Sequence, residues 1–294
     1  MPSCITHQLI AEYAEQSFPP EALSAISEAR AYYFLGAQGP DLLFFYRVLS
    51  GKENNLGRLL HRKHRYAVFS AFYDLLRGDF FRGEAREKAA AYIYGYLTHY
   101  CADVAFHPFV YAYLEAHGGE GFLHQKIEND WDVYFLREKR GREAEDYTFP
   151  FSVKRIADDG VLYLLFSFAF ARINGTALSQ NGFSSMLKLF GGYLNFFHGE
   201  CYSSQRGWKK AEDFFGAKPR FSRLFPSRTP EKRFLYGSEF AEFTEGKAQS
   251  ADELFDIAVN ESAQLAELFC NCLKSGEPLP KTPFNLSFHS GKEE

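Results

Sequence analysis

The sequence predicts an all-α fold in a single domain, and three features support that reading. Polar side chains recur every four residues through the middle of the chain, first as His99, Asp103 and His107, then as His124, Glu128 and Asp132. On a helix of 3.6 residues per turn, this spacing keeps each set on one stripe. Apolar residues recur at helical spacing in segment after segment. The 32 Phe and 18 Tyr among 294 residues, with 46% apolar residues in all, supply a bulky aromatic interior for one large helical domain.

Taken in order, the first predicted helix follows Thr6, a candidate N-cap, with Leu9, Ile10, Tyr13 and Ala14 as its apolar face and His7 in its first turn. A second starts near Pro20, places Ala22, Leu23 and Ile26 on one face, and runs toward Phe34. Gly36, Gly39 and Pro40 break the pattern before Asp41. That carboxylate reads either as a helix-start group for free amides or as a metal ligand on a fixed turn. The next helix carries Leu59, Leu60, Ala67, Val68 and Phe72, with His61 and His64 one turn apart. Pro108 is expected to stop the His99 helix and leave His107 at its end. Further helices are expected around residues 162–171 and 183–197 as packing walls. Residues 218–230 read as irregular, and a last amphipathic helix starts at Ser250 or Asp252. Residues 277–294 read as an extended tail of the single domain, which spans 1–294.

The two polar stripes carry the chemistry. Imidazole nitrogens with carboxylate oxygens are a ligand set that zinc accepts, and one helical face offers two of them at i, i+4. A solvated His–Asp pair on a surface helix would show the same spacing. Asp103, however, sits among Tyr92, Ile93, Tyr96, Leu97, Tyr100 and Phe106. A buried carboxylate left without a partner there costs about several kcal/mol.

The net charge of −4 gives no general basic footprint for duplex nucleic acid. Five scattered Cys form neither a disulfide framework nor a CxxC zinc pattern, so reduced thiols in a cytoplasmic protein are expected. The longest apolar run, 161–170, is shorter than the roughly 20 residues that span a bilayer. No GxGxxG, Walker loop or GxSxG elbow is present.

With THQLIA, GPDLLFFY, THYCADVAFHP and LHQKIEND in this order, the chain resembles the zinc-dependent phospholipase C family. That family includes secreted bacterial phospholipases C and alpha-toxin, and it is similar to the amino-terminal domain of glycosylphosphatidylinositol phospholipase D. Zinc nucleases specific for single strands are more distant relatives. The resemblance implies two or three zinc ions: one held by Asp41, His61, His99 and Asp103, another by His107, His124 and Glu128, and a third shared by His7 and Asp103. It favours His61 over His64, and it implies that Asp41 is a ligand while also offering it as a candidate general base, two roles that compete. The Asp103-to-His107 spacing is shorter than in the secreted enzymes and agrees with the phospholipase D domain. No mature amino-terminal Trp precedes His7.

The implied activity is zinc-dependent cleavage of a phospholipid head-group ester, with transient contact at a membrane surface. The competing expectations are a phosphodiesterase for nucleotides or single-stranded nucleic acid, and a non-catalytic protein clamped by zinc.

Overall fold

The computed structural model describes residues 4–47, 55–119, 121–217 and 220–293. Among these the chain is all helical, and its only β pairing is the two isolated bridges Tyr236 to Ser250 and Leu286 to Glu293. The helices are α1 (Cys4–Ala14), α2 (Pro20–Glu28), α3 (Arg30–Gly36), α4 (Leu56–Arg62), α5 (Arg65–Arg77), α6 (Glu84–Ala116) and α7 (Gly121–Arg140). They continue with α8 (Val153–Ala157), α9 (Val161–Asn174), α10 (Gln180–His198), α11 (Cys201–Phe214), α12 (Ser238–Phe243) and α13 (Ala251–Ser275). A 3-10 turn, Gly39–Phe45, joins the first three helices to the rest.

The 33-residue α6 is the axis of the domain, and α1, α2, α3 and α13 pack along it. Two apolar cores divide its length. Tyr92, Tyr96 and Tyr100 belong to one, with Phe69, Phe72 and Phe166, while Phe106, Phe109 and Tyr113 belong to the other, with Trp131, Phe135 and Phe255. The polar stripe of α6 lies where these cores meet. The crossing of α3 over α6 is made by two glycines: a Cβ on Gly36 would stand 2.2 Å from the Tyr92 carbonyl oxygen, and one on Gly95 would stand 2.0 Å from that of Tyr33. Backbones can approach this closely only without side chains between them.

Several expected boundaries move. Pro108 does not end α6, which runs eight residues further to Ala116. The ring removes only one intrahelical bond, and packing against α12 and α13 holds the remaining turns. Thr6 is not a cap but lies inside α1, where its amide and its hydroxyl both donate to Asp132 Oδ1 at 2.7 and 2.8 Å. The helix expected from Pro20 to Phe34 breaks at Ala29, and Leu23 faces solvent. The helix expected through His61 and His64 is two helices, parted at His64, whose φ is +68°. Helix α11 has no counterpart among the expected elements. The cap of α13 is Ser250, whose hydroxyl accepts from the Glu253 amide.

Beyond α13, residues 277–293 carry no helix and fold back on the domain. Tyr100 fastens this segment, donating to the Pro283 carbonyl at 2.6 Å and accepting from the Leu286 amide at 2.7 Å. All five cysteines are buried and none forms a disulfide among the described residues, and no described helix is long and apolar enough to cross a membrane.

Candidate metal centre

Five elements converge on the middle of α6. Helix α1 contributes His7, the 3-10 turn Asp41, α4 His61, α6 itself His99, Asp103 and His107, and α7 His124 and Glu128. The eight side chains named from the sequence therefore meet in one place. His64 is exposed on the outer surface, so His61 is the imidazole that reaches the carboxylates. Asp132, the last member of the α7 stripe, is instead committed to Thr6 and anchors the helix that carries His7.

Asp103 is the hub. Its Oδ1 lies 3.4 Å from His7 Nε2 and 3.6 Å from His107 Nε2, and its Oδ2 lies 3.1 Å from His99 Nε2 and 3.6 Å from His61 Nε2. Asp41 Oδ1 lies 2.9 Å from His61 Nε2, with Oδ2 3.8 Å from His99 Nδ1. On the other side, Glu128 Oε1 is 2.9 Å from His124 Nε2 and 3.5 Å from His107 Nε2. Tetrahedral zinc with bonds of about 2.0–2.1 Å sets its donor atoms about 3.4 Å apart. Most of these spacings are nearer that edge length than a hydrogen bond's.

Tautomers sharpen the point. His61 Nδ1 lies 2.7 Å from the Gly57 carbonyl oxygen and His99 Nδ1 lies 3.2 Å from that of Ala37. A carbonyl only accepts, so each Nδ1 carries the proton, and in a neutral ring Nε2 is then a lone pair. Both lone pairs face carboxylate oxygens. Two acceptors in contact need a proton or a cation between them, and backbone-anchored imidazoles of this kind are typical of metal ligands. His7 Nδ1, Asp41 Oδ2, His99 Nε2 and Asp103 Oδ2 are buried and make no hydrogen bond. In folded proteins the large majority of buried polar atoms are satisfied. The residues fit zinc in three groups of nearby ligand atoms, the first two sharing His99: His7, Asp41 and His99; His61, His99 and Asp103; His107, His124 and Glu128.

The protein's own charges are strained here. Burial and the neighbouring His99 push His7 down to about 4, against the pull of Asp103 and Asp41. Burial also opposes charging of His99, but Asp103 and Asp41 outweigh it and hold that ring at about 9. The two rings stack with centroids 4.2 Å apart, so they cannot both hold a proton cheaply. Burial works against the charge on Asp103, yet His107, His99 and His7 keep its carboxyl well below the usual range.

The cluster is buried except at His61 and His124, which open onto a cavity of about 370 Å³ bounded also by Phe44 and Tyr111. Sequence reasoning did not find the C-terminal wall. Phe288 packs edge-on against His61 at 5.6 Å and His107 at 6.1 Å, and His289 stacks on Tyr111 at 4.7 Å. Nothing in local spacing announces that a segment so far along the chain returns to α6. The amino terminus, residues 1–3, lies outside the described residues.

Comparison with known proteins agrees with the site. The zinc dependent phospholipase C family model matches residues 6–164, a little over half of the 294-residue chain. That span contains every residue of the cluster. No curated protein and no solved structure matches the chain. The ligand-like geometry and the family match point the same way, and the chain belongs to the zinc dependent phospholipase C family.

Proposed function

We propose that the protein is a zinc-dependent phosphodiesterase that cleaves the head-group ester of a phospholipid. The observation that carries this reading is the cavity of about 370 Å³ on which the His/Asp/Glu cluster opens. A purely structural zinc site closes its ligand shell, whereas a catalytic one leaves room for water and substrate. His61, His99, Asp41 and Asp103 would hold one ion and His107, His124 and Glu128 a second, while His7 and Asp103 would share a third. Zinc bound there supplies a Lewis acid for the phosphoryl oxygens and lowers the pKa of water.

The protein's own residues do the rest. Asp41, at the cavity wall, accepts the proton of the attacking water, whose oxygen forms the new P–O bond. The diacylglycerol oxygen leaves with the electrons of the broken ester bond and is then protonated. The carbonyls of Ala37 and Gly57 hold the His99 and His61 rings in position throughout. Phe214 and Phe215, 84% and 79% exposed at the end of α11, support a transient lipid contact. Five cysteines with no disulfide among the described residues fit the proposed cytoplasmic location.

The test is hydrolysis of phosphatidylcholine in micelles and of a soluble phosphodiester by the zinc-loaded chain, before and after chelation. Diacylglycerol release that chelation abolishes is expected. Cleavage of the soluble diester alone would refute the lipase assignment and leave a metallo-hydrolase, and a wild type without bound zinc would refute the whole reading.

A further inference from the structure

Two guanidiniums stand at the metal-site cavity with no role in the cluster. Arg58 and Arg62, one turn apart on α4, line the same cavity as Asp41, His61 and Glu128. Both are exposed, and among the described residues neither makes an ion pair. Other exposed arginines nearby in sequence are engaged, Arg77 with the Gly276 carbonyl and Arg82 with Asp79. The i, i+4 spacing puts Arg58 and Arg62 on one stripe, with His61 beside them on the same helix.

We infer that Arg58 and Arg62 select a phospholipid whose head group carries negative charge beyond the scissile phosphodiester, such as a phosphoinositide bearing a phosphomonoester. This rests on the phosphodiesterase reading above and narrows its substrate. The scissile phosphate carries one charge, which the metal centre takes. The guanidiniums remain for a second anion, and a planar fork of N–H donors suits phosphate oxygens.

Among the described residues a quaternary or primary ammonium head group finds nothing equivalent. The carboxylates lining the cavity are Asp41 and Glu128, and both face imidazoles of the cluster. Phe44, which would offer an aromatic face to a cation, is packed against His61 at 5.0 Å. Tyr111 also lines the cavity and adds a hydroxyl donor.

The experiment uses the full chain loaded with zinc and short-chain lipids kept below their micelle concentration, so that no surface is present. Phosphatidylinositol 4-phosphate is compared with phosphatidylcholine by kcat/KM. In parallel, binding of inositol 1,4-bisphosphate and of phosphocholine is measured by calorimetry. Preference for the phosphoinositide is expected, and Arg58→Gln and Arg62→Gln should each lower the kcat/KM ratio by about tenfold, the scale of one charge-assisted contact. The same variants should weaken inositol bisphosphate binding while zinc content stays at the wild-type level. Arg→Lys at either position should restore part of the loss.

A ratio unchanged in both Gln variants, or preference for phosphatidylcholine, would overturn the inference. So would variants that lose only adsorption to anionic vesicles and keep the ratio for monomeric lipid, because the guanidiniums would then serve a membrane surface. Failure of the underlying reading looks different. A fully loaded chain would cleave neither lipid, while calorimetry would still report whether the two arginines recognise the anion.

Discussion

Replacing Gly39 by alanine tests whether the backbone of the 3-10 turn sets the position of His99. Gly39 has φ of +51°, and a Cβ there would stand 2.2 Å from His99 Cδ2, 2.3 Å from Cγ and 2.8 Å from Nδ1. Non-bonded carbons meet at about 3.5–4.0 Å, so ring and turn must part by more than about 1 Å. Zinc ligation tolerates about 0.2 Å, so His99 would be lost as a ligand. The stability cost has two parts: about 1–2 kcal/mol for a non-glycine residue at positive φ and about 1–3 kcal/mol for overpacking. Together they give a loss of about 2–5 kcal/mol.

Gly175 isolates the first part, since its φ is +68° and a Cβ there meets nothing within 4 Å. Gly175→Ala should therefore cost about 1–2 kcal/mol and leave zinc untouched. The assay is urea unfolding of chelated protein, with elemental analysis of zinc after gentle purification. If Gly39→Ala keeps its zinc and unfolds with the same midpoint as Gly175→Ala, the proposed seating of His99 under the turn is wrong.

Asp103→Ala should remove more zinc than any other single ligand change, because four imidazoles face its two oxygens. Glu128→Ala should deplete mainly the His107 and His124 site, and elemental analysis of the two variants separates the cases. Asp132→Ala should cost about 2–3 kcal/mol in urea unfolding, the scale of hydrogen bonds to a charged group, and zinc loss should follow from slackening of the helix that carries His7. His198 is buried at the end of α10, and burial pushes it down to about 4. Between an unfolded value of about 6.5 and that folded value the unfolded chain binds the extra proton, so its stability contribution is present above pH 6.5 and is lost as pH falls toward 4, by roughly 1.4 kcal/mol per pH unit. Chelated His198→Phe should lose less stability than chelated wild type between pH 7 and 4.5, and equal losses would show that the ring is not buried neutral.

The legible part of the site is the part written in one periodicity. His99, Asp103 and His107 share a helix, as do His124 and Glu128, so spacing alone places each set on a face. His7, Asp41 and His61 come from three other elements, and no local pattern links them. Their membership was implied by resemblance, and geometry then brings them together. Asp41 shows the limit most clearly, since a carboxylate after Gly-Pro looks the same as a cap or as a ligand until its neighbours are known. Helix boundaries failed where tertiary packing overrode local rules: Pro108 is carried through by its neighbours, while the break at Ala29 has no Gly or Pro to announce it. The return of Phe288 to the site is a long-range contact, which periodicity does not encode.

The same division bears on how metal binding would couple to folding. Apolar packing already fixes α6, with buried aromatic residues along both cores, so His99, Asp103 and His107 are presented with or without metal. The other ligands are delivered by α1, the 3-10 turn, α4 and α7, which pack into the cores through buried side chains such as Ile5, Leu43, Leu60 and Trp131. Lone pairs facing carboxylates at 2.9–3.6 Å repel when nothing lies between them. A cation reverses the sign of that term, and its binding free energy then counts toward folding. A metal held by these ligands would add a further link between four elements and the α6 axis. The open side of the cluster falls where α4 meets the cavity, beside two arginines that pair with no carboxylate among the described residues.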